Sequence, residues 1–149
     1  MKKIILWVLL AGLIGVTPVC LGQLRPVPAV VTNALAAKFP AAKNVEWRDK
    51  ITEYHAIFSD EGSKCEAKFK VDGTWISSEK SIRADTLPAA IKEGLRLSKY
   101  ADWEIHSAFI IYLADGVTQY HIVVSKTDLG RKILFFNPQG QLLKENLSL

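Results

Sequence analysis

Apolar positions along this chain change their period several times, and each change marks a new kind of element. Over residues 29–39 they recur every fourth place. Val27, Val31, Leu35 and Phe39 form one stripe, with Thr32 and Asn33 on the polar side. That spacing, with alanine-rich filling, predicts a helix lying on something flat and apolar. Pro40 ends it, because proline cannot supply the next amide. The period then drops to two, the mark of strands with one wet face. In 44–48, Val45 and Trp47 share a face; in 53–59, Tyr54, Ala56 and Phe58 share one, with His55 and Ile57 on the other. In 63–71 the alternation is clean: Cys65, Ala67, Phe69 and Val71 inward, four charged residues outward. Asp60-Glu61-Gly62 and Asp72-Gly73 supply turns, and a fourth strand runs from Trp75 toward Ile82.

The pattern then starts again. Asp85 or Thr86 is a candidate helix cap, Pro88 falls in a first turn, and Ile91, Leu95 and Ser98 mark a stripe to which Leu87, Ala90 and Gly94 add. Strands are expected over 103–113, 117–125, 131–137 and 141–145, with turns at Asp115-Gly116 and Pro138-Gln139-Gly140. The stretch 87-LPAAIKEGL-95 restates 27-VPAVVTNAL-35 at a fixed offset, and 137-NPQGQLL-143 corresponds to 71-VDGTWIS-77. The expected architecture is α+β: a tandem α-β4 repeat, residues 23–84 and 85–149, forming one joint domain with an antiparallel sheet and helices on one face.

Ahead of this lies a leader. Lys2 and Lys3 precede an apolar run over 4–16, and Cys20-Leu21-Gly22 offers small residues before a cut at Gln23. Residues 1–22 read as a secretory signal peptide, leaving no integral membrane segment after cleavage. Lipid attachment at Cys20 is the minor alternative. Removing Lys2 and Lys3 from the formal charge of +4 leaves about +2, without the concentrated basic face that nucleic acid requires. After the cut only Cys65 remains, so no intrachain disulfide can form and Cys65 reads as a small buried hydrophobe.

The string Val27-Pro28-Ala29, Lys38-Phe39-Pro40-Ala41-Ala42, Val45-Glu46-Trp47, Tyr54-His55-Ala56-Ile57-Phe58, then Ala67-Lys68-Phe69-Lys70-Val71-Asp72-Gly73-Thr74-Trp75 resembles the PepSY-like proteins with a β-lactamase-inhibitor-like (BLIP-like) fold. Leu87-Pro88-Ala89-Ala90-Ile91, Tyr120 and Gly140 extend the likeness into the second unit. The resemblance implies a secreted, largely periplasmic module. It also implies peptidase or enzyme binding through a concave sheet, with no catalytic residues to carry over.

The residues themselves offer no enzyme constellation. His55, His106 and His121 lack metal-ligand spacing with one another or with Cys65, no serine has a nucleophile-elbow setting, and the glycines are isolated. No catalytic group, metal or cofactor is therefore expected. His106 and His121 are expected on one face of neighbouring strands, as a surface pair or, as the sharper alternative, a weak transition-metal or pH-sensitive site. Trp47 and Trp103 read as core. A helix-free face carrying His55, Ile57, Trp75, Ile110, Tyr112, Val123 and Phe136 is the expected binding surface for an envelope protein or peptide. A homodimer, an envelope role without a discrete ligand, and a small-molecule or lipid carrier are the alternatives.

Overall fold

The computed structural model describes residues 25–126 and 130–148. The leader, the cut before Gln23, Cys20 and part of the 126–130 loop lie outside the described residues. The elements are α1 (Ala29–Lys38), β1 (Lys43–Asp49), β2 (Glu53–Asp60), β3 (Ser63–Lys70), β4 (Trp75–Ile82), a 3₁₀ turn (Ala84–Thr86), α2 (Ala89–Leu97), β5 (Glu104–Leu113), β6 (Thr118–Ser125), β7 (Arg131–Phe136) and β8 (Leu142–Ser148). The eight strands form one sheet in chain order, β1 to β8, and every neighbouring pair is antiparallel. The last strand runs further than the expected 141–145.

Both helices begin the same way. Pro28 and Pro88 are the N-cap residues, with ψ of 144° and 148°. An extended cap turns the proline carbonyl inward. Pro28 accepts from the amides of Val31 and Thr32, and Pro88 from those of Ile91 and Lys92. The expected cap at Asp85 or Thr86 does not form. Thr86 donates its hydroxyl to the Arg83 carbonyl within the separate 3₁₀ turn, and Pro88 stands just outside the helix rather than in its first turn.

Each helix covers one end of the same sheet face. Val31 and Leu35 of α1 pack with Tyr54, Ala56, Phe58, Cys65, Ala67 and Phe69. Ile91 and Leu95 of α2 pack with Leu87, Tyr100, Ala108, Ile122, Val124, Leu134 and Phe136. Trp47 packs against the first cluster, 6.3 Å from Phe69, and Trp103 against the second, edge-on to Tyr100 at 4.9 Å. Full burial of each large aliphatic or aromatic side chain is worth about 1.5–3 kcal/mol, so these clusters account for the helix–sheet association. Cys65 is free and buried, and burial raises its thiol pKa. It is thus a weak nucleophile.

The turn after the third strand of each half lies against its own helix. A Cβ on Gly73 would stand 2.9 Å from the Val30 carbonyl oxygen. A Cβ on Gly140 would stand 2.0 Å from the Ala90 carbonyl oxygen, and one on Gly94 only 1.9 Å from the Gly140 carbonyl oxygen. Gly94 costs about 1 kcal/mol of helix propensity relative to alanine; this backbone-to-backbone approach is its physical reason.

Candidate functional site

The face opposite the helices is the candidate site, and strand register decides what stands on it. Directly opposed residues in an antiparallel pair share a face. Glu66, opposite Glu79, leads across to Ile111 and Gln119; one step along, Phe109 opposes His121, which opposes Phe135. His55, Ile57 and Val123 belong to this face, as expected.

Four expected residues do not. Ile110 and Tyr112 oppose Lys80 and Ser78, in line with the core residue Ala108. Phe136 is 0% exposed inside the α2 cluster, and Trp75 packs against the α1 cluster. All except Phe136 trace to β-bulges. Between Ile105 and Ser107 the β5 register shifts at His106, so residues beyond it exchange faces relative to Trp103 and Ile105. A second shift opposes Phe69 to Trp75 while Lys68 opposes Ser77, which turns Trp75 under the helix layer. One extra residue in a strand inverts the parity of everything after it. Phe136 fails for a simpler reason: it opposes Tyr120, on the helix side of β6.

The expected His106–His121 pair is also absent. His106, at the bulge, meets the Ser125 hydroxyl, whereas His121 sits edge-on to Phe135 with ring centroids 4.2 Å apart. Among the described residues no group of three or more His, Cys, Asp or Glu side chains is placed to hold a metal ion.

The helix-free face is hollowed. Glu66, Lys68, Ser77, Glu79, Ile111, Leu113, Gln119, His121, Phe135 and Lys144, drawn from β3 through β8, line one depression of about 270 Å³. In a flat sheet β3 and β8 would lie about 24 Å apart. They meet over one hollow because the sheet curls, with this face concave. The same curvature leaves Ile111 and Phe135 only 6% and 8% exposed with no helix above them.

Its charges interlock. His55 bridges Glu66, at 2.9 Å from Nδ1, and Glu53, at 3.2 Å from Nε2. Glu79, opposite Glu66, has its pKa raised, first by burial and then by Glu66, with Lys68 opposing. His121 is lowered to about 4, first by burial and then by Lys144 and Lys68. Its Nδ1 stands 3.8 Å from Glu79 Oε2. At neutral pH the imidazole is uncharged, so this approach is not an ion pair. The Lys144 ammonium lies 4.3 Å from the Phe135 ring centroid. Glu79, Ile111, Phe135 and Lys144 were not in the expected set. Counting outward from the Asp115-Gly116 turn, rather than forward from Trp103, assigns Ile111 its observed side.

A continuous antiparallel sheet with two helices on one face and an open concave face on the other defines a BLIP-like α+β fold. The comparisons agree. The family model described as "Putative beta-lactamase-inhibitor-like, PepSY-like" matches residues 52–144, and the chain belongs to this family. A DUF2874 family protein from Bacteroides ovatus superposes with a TM-score of 0.77 at 23% identity, over 83% of this chain and 89% of its own. A BLIP-like protein from Bacteroides fragilis gives 0.76 at 23% identity, over 84% and 89%. A protein from Bacteroides eggerthii described as "putative periplasmic" gives 0.77 at 22%, over 83% and 90%. No curated protein matches the chain. No helix among the described residues is long and apolar enough to cross a membrane.

Proposed function

We propose that this protein is a non-enzymatic recognition module that grips a protein or peptide segment in the concave face of its sheet. The observation that carries the reading is the hollow itself. Side chains from β3 through β8 converge on one depression, with an apolar floor of Ile111, Leu113 and Phe135 and a rim of Glu66, Glu79, Lys68 and Lys144. Apolar anchors inside a charged rim suit protein recognition, where a few central contacts supply most of the affinity. His55, Ile57 and Val123 extend this surface; Trp75, Ile110, Tyr112 and Phe136 do not contribute to it. The inhibitor-like family description points the same way. The leader pattern at 1–22, with the periplasmic description of one neighbour, supports a secreted, periplasmic location. The matched proline caps, and the turn glycines at equivalent places on the two helices, support a duplicated α-β4 unit divided near residue 84.

A photo-crosslinking amino acid placed at Ile57 or Val123 on the concave face, or at the exposed Asn33 of α1, tests the surface in envelope extract. The two concave positions are expected to trap the same partner, and Asn33 none. Capture from Asn33 alone, or equally from both faces, removes the concave face as the site.

A further inference from the structure

Two of the residues that leave the concave face meet elsewhere. Trp75 and Tyr112 line a second hollow, of about 370 Å³, on the helix side of the sheet, between the end of α1 and the β5–β6 hairpin. Its walls are apolar: Phe39, Val117 and the Tyr112 ring. Tyr112 and Val117 are 42% and 45% exposed, so the mouth is open. Its volume falls within the range of small-molecule sites, about 300–1,000 Å³.

The polar side chains that line this hollow, Lys38 and Ser78, can both donate. Ser78, 6% exposed, is the buried polar residue of the sheet interior and lines it. Lys38 lines it too, and holds its ammonium 3.6 Å from the Trp75 ring centroid. No carboxylate among the described residues stands within ion-pair distance of Lys38. The Trp75 indole N–H is buried without a hydrogen-bond partner, an unfavourable state for a buried donor. A cation and a hydroxyl beside apolar walls call for a ligand that brings oxygen acceptors, negative charge and an apolar body.

We propose that this hollow binds an apolar carboxylate, with the carboxylate at Lys38 and Ser78 and the apolar chain against Phe39, Tyr112 and Val117. Cation–π attraction holds Lys38 over the indole in the empty hollow. A charge-assisted bond to carboxylate is stronger, so the ligand draws the ammonium off the ring. The carbonyl end of α1 disfavours a bare anion at this spot. Selectivity for the acid therefore depends on Lys38. This site opens on the opposite side of the sheet from the concave face, and Leu113 at the end of β5 lines both hollows.

The shared chemistry occurs in fatty acids and at peptide C-termini. The test titrates the chain from Gln23 onward with decanoate, decan-1-ol, and a leucine-ending tripeptide as free acid and as amide, following tryptophan fluorescence and heat. At least one acid is expected to bind about tenfold tighter than its neutral counterpart, and which acid does so identifies the source. Lys38→Met is expected to remove that preference while leaving decan-1-ol binding unchanged, and Trp75→Phe to weaken the acid and abolish the fluorescence change. Circular dichroism checks that both variants fold. Equal binding of acid and neutral forms, an acid preference that survives Lys38→Met, or absence of binding overturns the proposal.

Discussion

The two halves of the sheet share an order of elements but join their helices to the sheet differently. In the first half, the turn glycine Gly73 meets both the backbone and a side-chain methyl of Val30. In the second, Gly140 and Gly94 bring turn and helix together backbone to backbone, with Ala90 completing the contact. A valine methyl borders the contact in one half, where the other half has Ala90. The same entrance, a proline N-cap, thus leads to two docking distances. The closer one depends on positions where even a methyl group has no room.

The sharpest way to break this contrast is Gly140→Ala. It places a Cβ in the Ala90 carbonyl at a backbone with φ of 83°. A loss of about 4 kcal/mol or more is expected, read as a fall in the urea midpoint. Gly94→Ala tests the same contact without the φ penalty. Its helix-propensity gain of about 1 kcal/mol is expected to be outweighed by the clash, for a net loss of about 3 kcal/mol. A neutral or stabilising Gly94→Ala would show that the turn yields freely. Gly73→Ala, where the nearest atom is 2.9 Å away at φ of 85°, is expected to lose about 2 kcal/mol, less than Gly140→Ala. Equal losses would erase the difference between the halves.

The histidines of the concave face extend the comparison. His55, in the first half, is flanked by two carboxylates, whereas His121, in the second, is buried near two lysines. Because the folded pKa of His121 is depressed to about 4, the unfolded chain takes up its proton first as pH falls. Stability is therefore expected to decline from about pH 6.5 down to about 4, by on the order of 2 kcal/mol, and His121→Gln to flatten that slope. Glu79 has the opposite sign. Its raised pKa disfavours the ionised form, so its contribution declines as pH rises above the usual carboxylate range. Glu79→Gln is expected to stabilise the protein at pH 7 by less than about 1 kcal/mol, the smallest effect here, measured by thermal melting.

Much of this architecture was legible in the alternation of residues. Tyr54, Ala56 and Phe58 on β2, and Cys65, Ala67 and Phe69 on β3, point where their period places them. The turns at Asp72-Gly73 and Asp115-Gly116 fall as read. Parity stopped being informative at the two bulges. A bulge at His106 leaves no compositional trace, yet it moves Ile111 to the concave face and Tyr112 to the helix side. The concave hollow was hidden for another reason. It depends on curvature accumulated over the strands from β3 to β8, and no local window contains that. The meeting of Glu66 with Glu79 depends on the register between β3 and β4.

Sheet order equal to chain order has a consequence for assembly. Every strand pairs with the strand just before it, so no strand has to be threaded between two already joined. A chain delivered end first, from a ribosome or through a translocation pore, can add each strand to a growing edge as it emerges. Until the next strand arrives, that edge is the vulnerable surface. Among the described residues two such margins remain: β1, with the charged sequence Lys43-Asn44-Val45-Glu46-Trp47-Arg48-Asp49, and β8, whose Leu143 and Leu147 are 51% and 68% exposed. Charge guards the first margin against stray pairing. The leucine-bearing last strand is where misassembly would begin.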